Sequence, residues 1–225
     1  MDEPAESCAP ENLGRAQPGG NIQALAAATG QGGTQLFALD GTGRLWINSQ
    51  TSPGADWSGW TRGLGSFTGG STFRIGEVAL GGQNNDCLML VAEADGQIAV
   101  VPQVQPGGAW GEFSIRNDSG PYVTGICACQ QGGSRGLQLW GLDTAPATMG
   151  QVWTLFQDSP GGPWDPWQGP GFVDQPEAFL TIAAAGQGNG CTILLGVGVT
   201  GNLWTIGQTS PGGGWGSWAQ TESPG

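Results

Sequence analysis

The chain has 225 residues, 44 of them Gly and 15 Pro, with 11% charged side chains and a net charge of −12. So much Gly and Pro without a period would signal disorder, but eleven Trp exclude it, because disordered chains are poor in aromatics. There is no His and no Lys, which removes His-based general bases, His-containing zinc sites, Schiff-base lysines and the P-loop lysine, while the negative balance opposes nucleic acid and anionic membrane surfaces.

In chain order, residues 1–19 read as an acidic tail carrying Asp2, Glu3, Glu6 and Glu11, with an extra outer strand as the alternative. The opening MDEPAESCAP lacks the basic-then-apolar order of a signal peptide. The expected location is therefore cytoplasmic as synthesised, or outside the cell by release without a signal peptide. No run approaches the ~18 apolar residues of a membrane span, so no membrane insertion is expected.

Apolar runs at 22–29 and 35–40 follow, split by GQGG, and then the string GRLWINSQTSPGADWSGW at 43–60. The same order returns three times. Runs at 75–80 and 87–92 precede GQIAVVPQVQPGGAWGEF at 96–113; runs at 123–129 and 137–142 precede GQVWTLFQDSPGGPWDPW at 150–167; runs at 180–185 and 192–197 precede GNLWTIGQTSPGGGWGSW at 201–218. Eighteen columns recur in register at a nearly even spacing of about 50 residues.

The first half of each string is β-branched and aromatic and predicts a strand. The Pro-Gly step predicts a tight turn, Pro fixing φ at one corner and Gly accepting a positive φ at the next. The Trp-x-x-Trp after it predicts the start of a second, antiparallel strand. With the two upstream runs, each unit is four strands, and Gly interrupts every window long enough for a helix. The fold class expected is all-β: a β-propeller of four four-stranded blades at approximately 20–70, 71–120, 121–176 and 177–225, forming one domain from 20 to 225. The Ala triplets at 26–28 and 183–185 suit the crowded strand nearest the axis. Four blades is the low end of the range for a closed ring. The alternatives to closure are a homo-oligomer, in which two chains share a larger ring, and an open ring that pairs with a partner. Cys127 and Cys129 fall on one face of a strand and read as small buried thiols, as do the other cysteines.

The four strings resemble the repeat of the Photorhabdus-type β-propeller lectins, most closely at 43–60 and 201–218. That resemblance implies shallow inter-blade sites for neutral sugars such as fucose, galactose, GlcNAc or methylated sugars, bound at several sites at once without catalysis. Carbohydrate recognition needs aromatic faces and fixed neutral hydrogen-bonding groups, and repetition raises avidity. The candidate sugar-binding residues are the hairpin aromatics Trp57, Trp60, Trp164, Trp167, Trp215 and Trp218 and the amides Gln50, Gln157 and Gln208. Each also has a purely structural reading: the first Trp of the pair packing on its turn, the second filling the gap between blades, the Gln tying the hairpin to backbone. In the second copy Ala99 and Phe113 stand where the others have Trp, which weakens a site there. The lectins of that family commonly have seven blades, against four here.

Partners expected are glycans or glycoconjugates; no cofactor and no metal is called for. Two alternatives are a protein-interaction scaffold and a carboxylate-dependent lyase or cyclase. The latter would have to use Asp40, Glu77, Asp86, Glu93, Asp95 or Asp143, none of which recurs with a partner at fixed short spacing.

Overall fold

The computed structural model describes residues 21–62, 64, 75–116 and 120–221; the tail at 1–19 and its outer-strand alternative lie outside them. Among the described residues every regular element is a strand. Strands β1 (Ile22–Gly30), β2 (Gly33–Asp40), β3 (Leu45–Ser49) and β4 (Thr61–Arg62) form one antiparallel sheet in that order. A second sheet runs β5 (Ile75–Gly82), β6 (Leu88–Ala94), β7 (Gln97–Pro102), β8 (Ser114–Ile115). The third holds β9 (Val123–Gln130), β10 (Leu137–Asp143) and β11 (Val152–Phe156), and the fourth β12 (Phe179–Gly186), β13 (Thr192–Gly198), β14 (Leu203–Gly207) and β15 (Ala219–Thr221). The chain is an all-β propeller of four blades, each built from consecutive strands.

Each expected turn forms: Gly54, Gly107, Gly161 and Gly212 of the Pro-Gly steps have φ of 76°, 65°, 69° and 63°, a region that costs Gly nothing. The strand after the turn differs from expectation. The first aromatic of each pair makes one isolated bridge to the Gln column, as Gln50↔Trp57, Gln103↔Trp110, Gln157↔Trp164 and Gln208↔Trp215. Regular pairing resumes only after the second aromatic. In the third blade it shrinks to the single bridge Thr154↔Gln168. There Pro166 and Pro170 flank the bridge and lack the N–H that a ladder requires.

Adjacent blades meet through their first strands, β1 against β5, β5 against β9 and β9 against β12. Three hydrophobic clusters fill these junctions. Phe37, Leu39 and Leu45 of blade 1 pack with Leu88, Leu90 and Val101 of blade 2. Met89, Val91 and Val100 of blade 2 pack with Leu137, Leu139 and Leu155 of blade 3. Trp140, Leu142 and Val152 of blade 3 pack with Phe179, Leu194 and Ile206 of blade 4. A fully buried side chain of this kind contributes about 1.5–3 kcal/mol, so the junctions carry most of the fold's stability. Strand β10 is buried along its whole length, as expected of a sheet covered on both faces. Strand β13, in the last blade, alternates buried and half-buried residues, the pattern of a sheet covered on one face. Cys127 and Cys129 both pack into the cluster between blades 3 and 4. The four described cysteines are free thiols, and burial pushes Cys87, Cys127 and Cys129 up, away from the reactive thiolate form.

Candidate functional site

The first hairpin aromatic is a wedge driven into the preceding blade. Trp110 meets Phe37 of blade 1 edge to face with centroids 5.0 Å apart, and its Nε1 donates to Gln35 Oε1 at 3.2 Å. Trp215 packs on Trp140 of blade 3 at 5.8 Å and on Phe172 at 5.1 Å. Trp164 packs into the cluster between blades 2 and 3, with the Arg116 guanidinium 5.3 Å from its ring centre, a cation–π distance. Trp57, in the first blade, belongs to none of the three inter-blade clusters among the described residues.

The Gln column ties each hairpin to the second strand of its own blade. Thr34 N donates to Gln50 Oε1 (3.4 Å), Leu137 N to Gln157 Oε1 (3.3 Å) and Thr192 N to Gln208 Oε1 (2.9 Å). The amide nitrogens donate onward, Gln50 to Ala55 O at 2.9 Å and Gln157 to Gly162 O at 3.0 Å. Gln157 and Gln208 are buried. Gln50 and Gln157 thus use both ends of their amides within their own blade.

A third column was not legible in the sequence: a carboxylate receives the mid-strand indole N–H. Trp46 Nε1 donates to Asp40 Oδ2 (2.9 Å), Trp153 Nε1 to Asp143 Oδ2 (2.9 Å) and Trp204 Nε1 to Glu177 Oε1 (2.7 Å). Asp40 also closes its turn by accepting from Thr42 N, Thr42 Oγ1 and Arg44 N. Burial alone would raise its pKa, but these hydrogen bonds together lower it to about 2. Asp143 is lowered in the same way against its burial, by Thr148, Ala145, Trp153 and Thr144. Glu177 is lowered by the Thr200 backbone first and Trp204 next. The signal was hidden because the spacing varies: Asp40 and Asp143 lie 6 and 10 residues before their Trp, whereas Glu177 reaches Trp204 from the linker, 27 residues before it.

Three of the other candidate carboxylates, Glu77, Glu93 and Asp86, also accept hydrogen bonds. Glu77 and Glu93 face each other in the β5–β6 register. Glu77 accepts from Thr124 Oγ1 (2.8 Å) and Ile126 N (2.9 Å) of blade 3. Glu93 accepts from Gly96 N, and burial raises its pKa. Asp86 accepts from Gln31 Nε2 of blade 1 (2.6 Å), and Asp95 sits at the β6–β7 turn with φ of 51°.

Among the described residues, three hollows bear on ligand binding. The first, about 690 Å³, is an axial funnel walled by Ala28, Ala128, Ala184, glycines and the amides Asn84, Gln130 and Gln131. No aromatic ring lines it. The second, about 180 Å³, lies between blades 2 and 3. Its walls are Trp167, Tyr122 and Arg116, with Gln97 in the strand floor and Gly120–Pro121 crossing one end. The third, about 350 Å³, lies on the other side of Gly120–Tyr122 and is lined by Asp143, Thr144 and Trp153. Tyr122 is 61% exposed and stands as a ridge between the two. Its carbonyl is held by Thr144 N (3.1 Å) and Thr144 Oγ1 (3.0 Å).

Of the aromatic candidates, Trp167 is the one that lines the inter-blade cleft. Trp218, its counterpart in blade 4, packs on Phe179 at 5.0 Å and donates from Nε1 to Phe172 O at 3.0 Å. Phe172 and Gln175 of the preceding linker occupy that junction: Gln175 Nε2 donates to Gly150 O (2.9 Å) and its Oε1 accepts from Val152 N (2.7 Å). Trp60 is half-buried on blade 1, and its Nε1 is buried without a hydrogen-bond partner. Arg116, Tyr122 and Gln97 were not among the candidates; Arg116 and Tyr122 lie outside the repeated strings, and the column of Gln97 holds Arg44, Gln151 and Asn202 in the other copies.

No protein-family model matches the sequence, and no curated protein matches it. Solved structures do. A mutant of the Aleuria aurantia lectin in complex with Fucα1-6GlcNAc aligns at 15% identity and a TM-score of 0.56, covering 91% of this chain and 63% of that one. The SapL1 lectin in complex with alpha methyl fucoside aligns at 15% identity and 0.55, covering 93% and 68%. The NanB sialidase of Streptococcus pneumoniae aligns at 14% and 0.52, covering 76% of this chain and 27% of the enzyme. The chain thus spans about two thirds of the lectins it matches and about a quarter of the sialidase. At these identities the likeness establishes the shared architecture: the chain has the propeller fold that those lectins and that sialidase also have.

Proposed function

We propose that the chain binds neutral saccharides in the cleft between blades 2 and 3 and does so without catalysis. The observation that carries this is an open inter-blade cleft with two aromatic walls, Trp167 and Tyr122, beside a guanidinium and an amide, Arg116 and Gln97. A pyranose presents one apolar face to a ring and its hydroxyls to fixed donors and acceptors, and this cleft supplies both on a rigid frame. The lectins with which the fold is shared were solved with fucosylated ligands, which supports trying α-fucosides first, ahead of galactose, GlcNAc and methylated sugars. The resemblance of the hairpin strings to the Photorhabdus-type lectins supports the same reading. The carboxylates that a lyase, cyclase or glycosidase would need are engaged in turn closure and blade packing, which favours binding over turnover.

Tryptophan-fluorescence titration with methyl α-fucoside and the other sugars tests the reading. Saturable quenching at millimolar concentrations is expected, and Trp167→Ala should weaken it about two- to tenfold, the loss of one stacking face being worth about 0.5–1.5 kcal/mol. No response to any of these sugars on a glycan array and in the titration would overturn it.

A further inference from the structure

We propose that the two end blades dock head to tail, the last blade of one copy of this chain against the first blade of another. The inference rests on comparing equivalent columns of the repeat and is independent of sugar binding. On the face each blade turns toward its predecessor, Leu25, Val78 and Ile182 are one column, facing Ala38, Ala92 and Gly196 across the first strand pair. Val78 and Ile182, covered by a preceding blade, are each 8% exposed; Leu25, in the first blade, is 67% exposed. The middle of that face, at Ala38 and Asn48, is buried, so its open part is the axial rim.

On the face each blade turns toward its successor a smaller contrast of the same sign appears. Leu45, Ile98 and Val152 are buried, while Leu203 in the same column is half-buried. Phe37, Val91 and Trp140 are fully buried, while their equivalent Leu195 is half-buried. Among the described residues, no cluster joins blade 4 to blade 1 as three clusters join the other pairs.

The loops repeat the pattern. In the internal junctions the Pro-Gly hairpin of one blade lies against the first loop of the blade before it. A Cβ on Gly107 would meet Gly32 Cα at 2.8 Å, one on Gly212 would meet Gly132 O at 2.8 Å, and Gly161 N donates to Gln83 Oε1 at 2.6 Å. A Cβ on Gly188, in the last blade's loop, would meet nothing within 4 Å. The last blade therefore presents the forward half of a junction and the first blade the backward half. The occupant that fits each end is the other end of the same sequence. Such heterologous contacts close a ring or run on as a filament, and two chains closing a ring would give eight blades, within the known range.

Light scattering on the full chain, with Leu25→Asp and Leu203→Asp variants, tests this. The unmodified chain should show at least twice the single-chain mass, and each variant alone should show the single-chain mass. Mixing the two variants should restore a one-to-one complex, because each retains the face that the other has lost. Leu195→Asp provides a second forward-face variant, and circular dichroism with the sugar titration checks that the blades and the cleft survive. A single-chain mass for the unmodified protein at about 100 μM, an unchanged mass in the variants, or no complex on mixing would each overturn the proposal. So would protection of Leu25 and Leu203 from hydrogen exchange in a single-chain particle, which would mean that the chain covers its own ends.

Discussion

The junctions on either side of blade 3 are built from the same hairpin and end differently. Between blades 2 and 3, Gly120–Pro121–Tyr122 crosses the rim and leaves the Trp167 ring facing a cleft with Arg116. Between blades 3 and 4, a longer linker folds in: Phe172 packs on Trp215 and takes the Trp218 N–H, and Gln175 clamps Gly150 and Val152. The wedge aromatics Trp164 and Trp215 serve both junctions alike. The repeated columns thus make the frame, and the unrepeated linkers decide whether a junction is a site or a plug.

Emptying the core of the closed junction should produce the largest effect. Trp140→Ala empties a fully buried position against Trp215 and should cost about 4 kcal/mol in urea unfolding, with sugar response at the other junction preserved in the folded fraction. Next comes turning the open junction into a closed one. A Cβ on Gly120 would fall 2.2 Å from the Trp167 ring, so Gly120→Val should abolish the fluorescence response to sugar while costing about 1–3 kcal/mol of stability; retained binding would show that the cleft is not where sugar sits. Smaller again, Gln157→Met strands the Leu137 amide and the Gly162 carbonyl and should cost about 1–3 kcal/mol with sugar affinity unchanged. A loss of affinity at unchanged stability would instead return this amide to the binding site.

The smallest and most gradual effect is with acid. Asp40 titrates near 2 in the folded chain, below the unfolded value of about 3.9, and Asp143 is displaced in the same direction. Their contribution is therefore fully present above about pH 4 and fades as pH falls toward 2. Melting temperatures measured between pH 6 and pH 2 should drop across that lower window. Asp40→Asn should flatten the drop, and an unchanged slope would show that these bonds do not stabilise the fold.

The architecture was legible because its signals are periodic: strand, Pro-Gly turn and aromatic pair repeat in register, and pattern reading detects repetition. The exception was the strand after the turn, where the backbones of Trp57, Trp110, Trp164 and Trp215 each make a single bridge before pairing resumes. The site was legible only through Trp167. Tyr122 and Arg116 lie just beyond the repeat, and nothing in their own neighbourhood distinguishes them from solvated loop residues until the chain is folded. The Glu177–Trp204 bond was hidden for a related reason: its partners are far apart in sequence and have no counterpart at the same spacing in the other blades.

Each sheet is a plain meander of neighbouring strands, with no strand lent to another blade among the described residues. A duplicated or deleted gene segment of one unit's length would therefore lengthen or shorten the array without rethreading the chain. Evolution could count blades up or down in whole numbers, leaving the established junctions and any ligand lodged in them untouched.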